Sequence, residues 1–145
     1  GMLAKTGFRL VRESAAALLD EEDSAMIEKI VATLDGLLHR GVGKTGVITV
    51  HGLRAIRSGR YTHVDIHLVV PEYDPVAKAH DAAERFESLL IGAAGLEGEV
   101  HTHIDPCRRK YCSACADEVC PIRLLPHAGR RSITKEEATL AEPVE

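Results

Sequence analysis

Thr62-His63-Val64-Asp65-Ile66-His67-Leu68-Val69-Val70 alternates apolar and polar residues with a period of two. Successive side chains of a strand point to opposite faces, so Val64, Ile66, Leu68 and Val70 form one face and His63, Asp65 and His67 the other. Upstream, Val47, Ile48, Val50, Leu53 and Ile56 mark a second strand over residues 46–56, and Arg57-Ser58-Gly59-Arg60 reads as a turn. The two strands form an antiparallel hairpin. If it is centred on Gly59, paired residues have numbers summing to about 118, which sets His51 opposite His67. The two Cβ atoms are then roughly 5 Å apart, a distance suited to two ligands of one metal or of adjacent metals.

Downstream, Pro71 and Pro75 bracket a loop, and Val76, Ala79, Ala83, Phe86 and Leu90 carry a helix over 76–91. His80 follows Val76 at i+4, beside the helix's apolar stripe, and by pattern reads as a partly buried core histidine. It joins a site with the strand histidines only if the start of that helix lies near a sheet edge or a subunit boundary. After a connector at 92–98, residues 99–105 alternate again, with Val100, Thr102 and Ile104 against His101, His103 and Asp105. Towards the N-terminus, residues 3–20 read as a helix with Phe8, Leu10, Val11, Ala15, Leu18 and Leu19 at its apolar positions. Glu21-Glu22-Asp23 interrupts it. Ser24 is a plausible N-cap for a second helix through Ile27, Ile30, Val31, Leu34 and Leu38, which Gly41 and Gly43 end. The tail from His127 is polar and reads as loose, with at most a short helix from near Ser132.

The order is therefore α-α-β-β-α-β. We expect an α+β, ferredoxin-like α-β-β-α-β sandwich with an antiparallel sheet, an extra N-terminal helix and a Cys-rich C-terminal loop. The expected segments are a linker helix at 1–23, a metal-binding and dimerisation domain at 24–106, a Cys-rich loop at 107–125 and a flexible tail at 126–145.

The 145 residues suffice for one ordinary domain. Lys and Arg number 18 against 22 Asp and Glu, a net charge of −4, which opposes a nucleic-acid role. Two Phe, three Tyr and no Trp leave an aliphatic core. No apolar run approaches the roughly 20 residues of a membrane span, so no direct membrane insertion is expected of this segment. No signal peptide is seen, and Gly1-Met2 reads as a cloning remnant. Against this plain background stand eight His and four Cys.

Three strands each place histidine on a polar face: His51, His67 with His63 and Asp65, and His103 with Asp105. Neutral imidazole beside carboxylate is a fitting ligand set for zinc or a similar divalent cation. The thiols follow as Cys107-x4-Cys112-x2-Cys115-x4-Cys120. Four thiolates within one compact loop suit a closed zinc site, and Cys112-x2-Cys115 matches the usual ligand knuckle. An iron–sulfur cluster is weakened by the nearness of the fourth Cys, and a redox dithiol at Cys112 and Cys115 is the third option.

Several of these stretches together resemble the cytoplasmic C-terminal domain of cation diffusion facilitator transporters. They are His51-Gly-Leu-Arg54, the glycine turn, Val64-Asp-Ile-His67-Leu, Ala79-His80 and His101-Thr-His103-Ile-Asp105-Pro106. Arg9-Leu-Val-Arg-Glu-Ser14 and Leu18-Leu19-Asp20 resemble the segment after that family's last membrane helix. The similarity covers about residues 8–107, in order. It implies a ferredoxin-like domain that homodimerises and binds zinc, or another divalent transition metal, at the cytosolic face of a proton-coupled exporter. It also implies that His51, His67, His80, His103 and Asp105 are the zinc ligands, and that the transmembrane domain of the parent is a partner. The family's membrane helices are not in this chain, which is either a fragment or a stand-alone relative; the amphipathic helix at 3–20 following Gly1 favours the fragment.

The alternative is a stand-alone metal-binding or metallochaperone protein, or a redox sensor using Cys107, Cys112, Cys115 and Cys120. An enzyme is not expected. Glu72 and Asp65 could serve a zinc hydrolase as general base, but no H-E-x-x-H signature exists. Imidazole must be neutral to ligate, so binding should weaken below about pH 6.5.

Overall fold

The computed structural model describes residues 1–18 and 22–142, without the side chains of 16–18. Helix α1 (Met2–Leu18) follows the expected first helix. The expected extension through Leu19 to Asp20 lies outside the described residues. Phe8, Leu10 and Val11 of α1 are exposed. Helix α2 (Ser24–Leu38) buries Ile27, Ile30, Val31, Leu34, Leu37 and Leu38. Its cap is Asp23 rather than the expected Ser24, because the Asp23 carboxylate accepts the Met26 N–H at 3.0 Å. A carboxylate at this position also meets the positive end of the helix dipole. The chain leaves α2 through Gly41 and makes a single-turn helix, α3 (Val42–Thr45), so Gly43 lies inside a helical turn instead of ending one.

Strands β1 (Thr49–Ser58) and β2 (Tyr61–Val70) form the expected antiparallel hairpin. Helix α4 (Val76–Ala94) leads to β3 (Gly98–Pro106), and the sheet order is β1-β2-β3. The expected antiparallel sheet needs one correction: β3 runs parallel to β2. The helix between them carries the chain back to the starting end of β2, and a crossover of that kind returns a parallel strand. The architecture is α+β and ferredoxin-like, with a mixed sheet.

Helices α2 and α4 pack on one face of this sheet. Phe86 and Leu90 of α4 and Ile30 and Leu34 of α2 meet Leu53, Val64, Ile66, Leu68 and Val100 of the strands in one buried cluster. Phe86 is the one aromatic in this otherwise aliphatic core. Each such side chain contributes roughly 1.5–3 kcal/mol on burial. The opposite face of β2 carries His63, Asp65 and His67, as the alternation requires. Among the described residues, no helix is long and apolar enough to cross a membrane.

The segment from 126 onward, expected to be flexible, returns to the domain over residues 130–141. Arg130 donates to the Leu38 carbonyl at the end of α2, and the Ile133 N–H donates to Asp35. Helix α5 (Lys135–Thr139) starts with a capping box formed by Thr134 and Glu137 and buries Ala138 completely. The Gly52 N–H then donates to the Leu140 carbonyl at 2.7 Å. The physical reason is that Ile133 and Ala138 complete the core beside α2, while backbone groups at the edge of β1 find partners. Residues 143–145 lie outside the described residues.

Candidate metal centre

His51 pairs with His67 across β1 and β2, and His67 pairs with His103 across β2 and β3. Three histidines thus occupy one rung of the sheet, with ring centroids 4.7 Å apart at each step. The expected pairing of His51 with His67 is met here. Beyond it the hairpin slips by one residue, with Arg54 opposite Asp65, because a bulge lies between His51 and Arg54. The bulge resets the alternation of β1, so Val50 before it and Leu53 and Ala55 after it all enter the core. Gly52 makes this possible with a φ of 61°. A Cβ at Gly52 would also lie 2.7 Å from His67 Cδ2, so glycine is what lets the His67 ring lie against β1.

Asp105 sits two residues beyond His103 on the same face of β3. Its Oδ2 is 2.9 Å from His51 Nε2 and 2.9 Å from His67 Nδ1. One nitrogen from each of these rings and one Asp105 oxygen lie within 4.8 Å of one another. His51 is buried, while His67 and Asp105 are half-exposed. The other ring nitrogen of His51, Nδ1, donates to the Ala141 carbonyl at 3.0 Å. A carbonyl only accepts, so in the neutral ring Nε2 presents a lone pair to Asp105. A lone pair and a carboxylate oxygen facing each other at that distance form an arrangement that a proton or a cation can bridge. Burial pushes the Asp105 carboxyl up, but hydrogen bonds and charge from His67 and His51 outweigh it and hold the group below its ordinary value. The donor set fits a zinc-class divalent cation: two imidazoles, a carboxylate that stays ionised, and a backbone carbonyl that fixes one ring.

The other expected ligands are placed differently. His103 stacks on His67 at 18° and lies outside the three-atom group. His80 is not brought to the rung. It is exposed on α4, with Nδ1 3.9 Å from Glu84, and shares a separate exposed group with Asp81 and Glu84. Ala79, Ala82, Ala83 and Phe86 fill the buried stripe, which leaves His80 pointing away from the core rather than partly buried in it. His63 and His101 form surface pairs with Glu99, whose carboxyl is lowered chiefly by its hydrogen bond with His63. Gly52 and the Ala141 carbonyl were not among the expected contributors. A glycine inside an otherwise regular strand signals a bulge and could have revealed Gly52. A carbonyl 90 residues away in sequence leaves no side-chain signature.

The four cysteines are free thiols. All four line one cavity of about 60 Å³ at the end of β3. No three of their sulfurs lie within 4.8 Å of one another. Burial pushes the Cys107 and Cys115 thiols up, the opposite of the lowered value that marks a reactive redox thiol.

Residues 19–107 match the family described as cation efflux protein, cytoplasmic domain. The cation-efflux pump FieF of Yersinia pestis (strain Pestoides F) is 40% identical over 63 residues, which is 43% of this chain and 20% of the pump. FieF of Yersinia pseudotuberculosis serotype O:3 (strain YPIII) matches to the same extent. The match therefore spans about one fifth of those pumps. Among solved structures, CzrB in its Zn form superposes with a TM-score of 0.50 at 26% identity, covering 60% of this chain and 91% of that one. The family is a transporter domain rather than an enzyme class, and the matched region contains the three-histidine rung and Asp105. The chain belongs to the family of cation efflux protein cytoplasmic domains.

Proposed function

We propose that this chain is the zinc-responsive, dimerising cytoplasmic part of a divalent-cation exporter. His51, His67 and Asp105 hold the cation, His103 adds a ligand beside His67, and His80 enters from a second copy of the chain. The observation that carries this reading is Asp105 Oδ2 lying 2.9 Å from nitrogens of both His51 and His67, with His51 oriented by the Ala141 carbonyl. The family match supports export as the context, and the Zn form of CzrB supports zinc as the cation.

The mechanism follows from charge and geometry. Without a cation, Asp105 and the histidines depend on protons for compensation. A bound divalent cation supplies that charge at neutral pH and fixes the ends of β1, β2 and β3 relative to one another. The exposed position of His80 supports its recruitment by a partner. A ligand set completed across two subunits binds more tightly when they are close, so zinc shifts the population toward that arrangement. Helix α1, with Phe8, Leu10 and Val11 exposed, serves as the linker toward the membrane part at the cytosolic face. The shift would then couple cytosolic zinc to transport.

Small-angle scattering and thermal melts with zinc or with a chelator test this reading. We expect a more compact dimer and a higher melting temperature with zinc. An unchanged profile and melting temperature would remove the regulatory reading.

A further inference from the structure

We propose that Cys107, Cys112, Cys115 and Cys120 form a second and separate metal site, a thiolate centre for one zinc-class divalent cation. The matched family region ends at residue 107. The segment that follows is therefore an addition to the domain, and it brings three of the four thiols. It is nearly devoid of regular structure, having one 3-10 turn over Arg109–Tyr111. Val119 is 86% and Leu124 64% exposed. Cys115 is the buried side chain of residues 107–125, packed against Ile48 and Val69. A segment with so small a core of its own commonly gains its order from a cross-link, either a disulfide or a metal.

The backbone around the thiols is already arranged. The Cys107 N–H donates to Val70 O at 2.8 Å, which ties the first ligand to the end of β2. The Glu72 N–H donates to Cys107 Sγ at 3.4 Å, the kind of outer bond that steadies a thiolate ligand. The Cys112 N–H reaches Arg109 O and the Cys115 N–H reaches Tyr111 O, closing the turn of the Cys-x2-Cys knuckle. Arg123 then gathers the loop by donating to the carbonyls of Cys112, Cys115 and Asp117 at 2.8, 2.9 and 2.6 Å. The result is a preformed cup with four thiols on its wall. Arg108, Arg109 and Arg123 also line it, against Glu72 and Asp117. That positive excess suits a site that becomes negative when four thiolates surround a dication. No three of the sulfurs are yet within 4.8 Å of one another, so binding requires the thiol side chains to rotate into the cavity they line.

In the binding step each thiol loses its proton to solvent as its sulfur bonds the cation. Four protons leave, no electrons move, and the centre carries a net charge of −2. The site does not depend on the histidine rung, so either can fail alone.

Cobalt(II) is the probe. Titrated into the reduced full chain, it should produce thiolate charge-transfer absorption that is lost on adding zinc, and that saturates with one equivalent once the histidine rung is removed. The absorption should vanish in Cys112→Ser/Cys115→Ser and persist in His67→Ala/Asp105→Ala. A second measurement needs no variant: zinc should abolish the reactivity of all four thiols toward a thiol reagent. Absence of the charge-transfer band, its survival in the cysteine variant, or four thiols equally reactive with and without zinc would overturn the proposal.

Discussion

Asp105 Oδ2 is shared by two imidazoles, and its ionisation decides how the cluster responds to acid. The folded-state value is lowered, so its contribution to stability is complete above the ordinary Asp value of about 3.9 and is lost as pH falls through the lowered one. The carboxylate therefore stays charged throughout the range in which imidazoles become protonated, and acid should release metal by protonating the rings. Asp105→Asn should make the acidic limb of the stability curve shallower, with the lowered Glu99 carboxyl still contributing to it, as measured by urea unfolding over a pH series, and should sharply weaken zinc binding at neutral pH. Gly52 and Gly59 offer a contrast. Both have positive φ, but an added Cβ meets His67 at 2.7 Å in the first and open space in the second. Gly52→Ala should cost about 1–3 kcal/mol in strain and displace His67. Gly59→Ala should carry only the backbone strain and leave zinc affinity unchanged. Calorimetric titration with zinc, with unfolding in parallel, reads both differences.

At the scale of elements, α5 and the residues after it hold the His51 ring from outside the sheet. Ala138 is fully buried, and the chain beyond it delivers the Ala141 carbonyl to His51 Nδ1. Ala138→Asp should undock α5 and lower zinc affinity by roughly 10–100-fold, the usual cost of losing an outer partner of a histidine ligand. Circular dichroism should show the helices and sheet retained. Much of this level was legible in advance. The alternation of residues 62–70 placed His67 on the outer face, and the Gly59 turn set it opposite His51. The bulge was not legible from the spacing rule, which treats the hairpin as regular, and it shifts every pair from Arg54 onward. The direction of β3 was also missed, although the helix between β2 and β3 implies a parallel return. The docking of the tail escaped because its apolar residues, Ile133, Ala138 and Leu140, are few and set among charged neighbours. Ile133 and Ala138 fill gaps beside α2 and β1, while Leu140 stays exposed and contributes its carbonyl to the Gly52 N–H.

For the whole molecule, the two faces of the sheet divide the work. One is covered by α2 and α4 and stabilises the fold; the other presents the histidine rung and Asp105. His80 lies on α4, outside the rung within a single chain. In the proposed dimer, His80→Ala should reduce the zinc-dependent compaction seen by scattering, while the first zinc still binds at His51, His67 and Asp105. Pattern placed His80 on the helix and resemblance gave it a role, but one chain's periodicity carries no information about a partner's position.

The central claim is that these three residues hold the cation. Its most direct test is calorimetric zinc titration of His67→Ala/Asp105→Ala against the parent, both carrying Cys112→Ser and Cys115→Ser so that thiols do not compete. The account predicts one high-affinity event in the parent and its loss in the variant. Equal affinity and stoichiometry in the two proteins would contradict it.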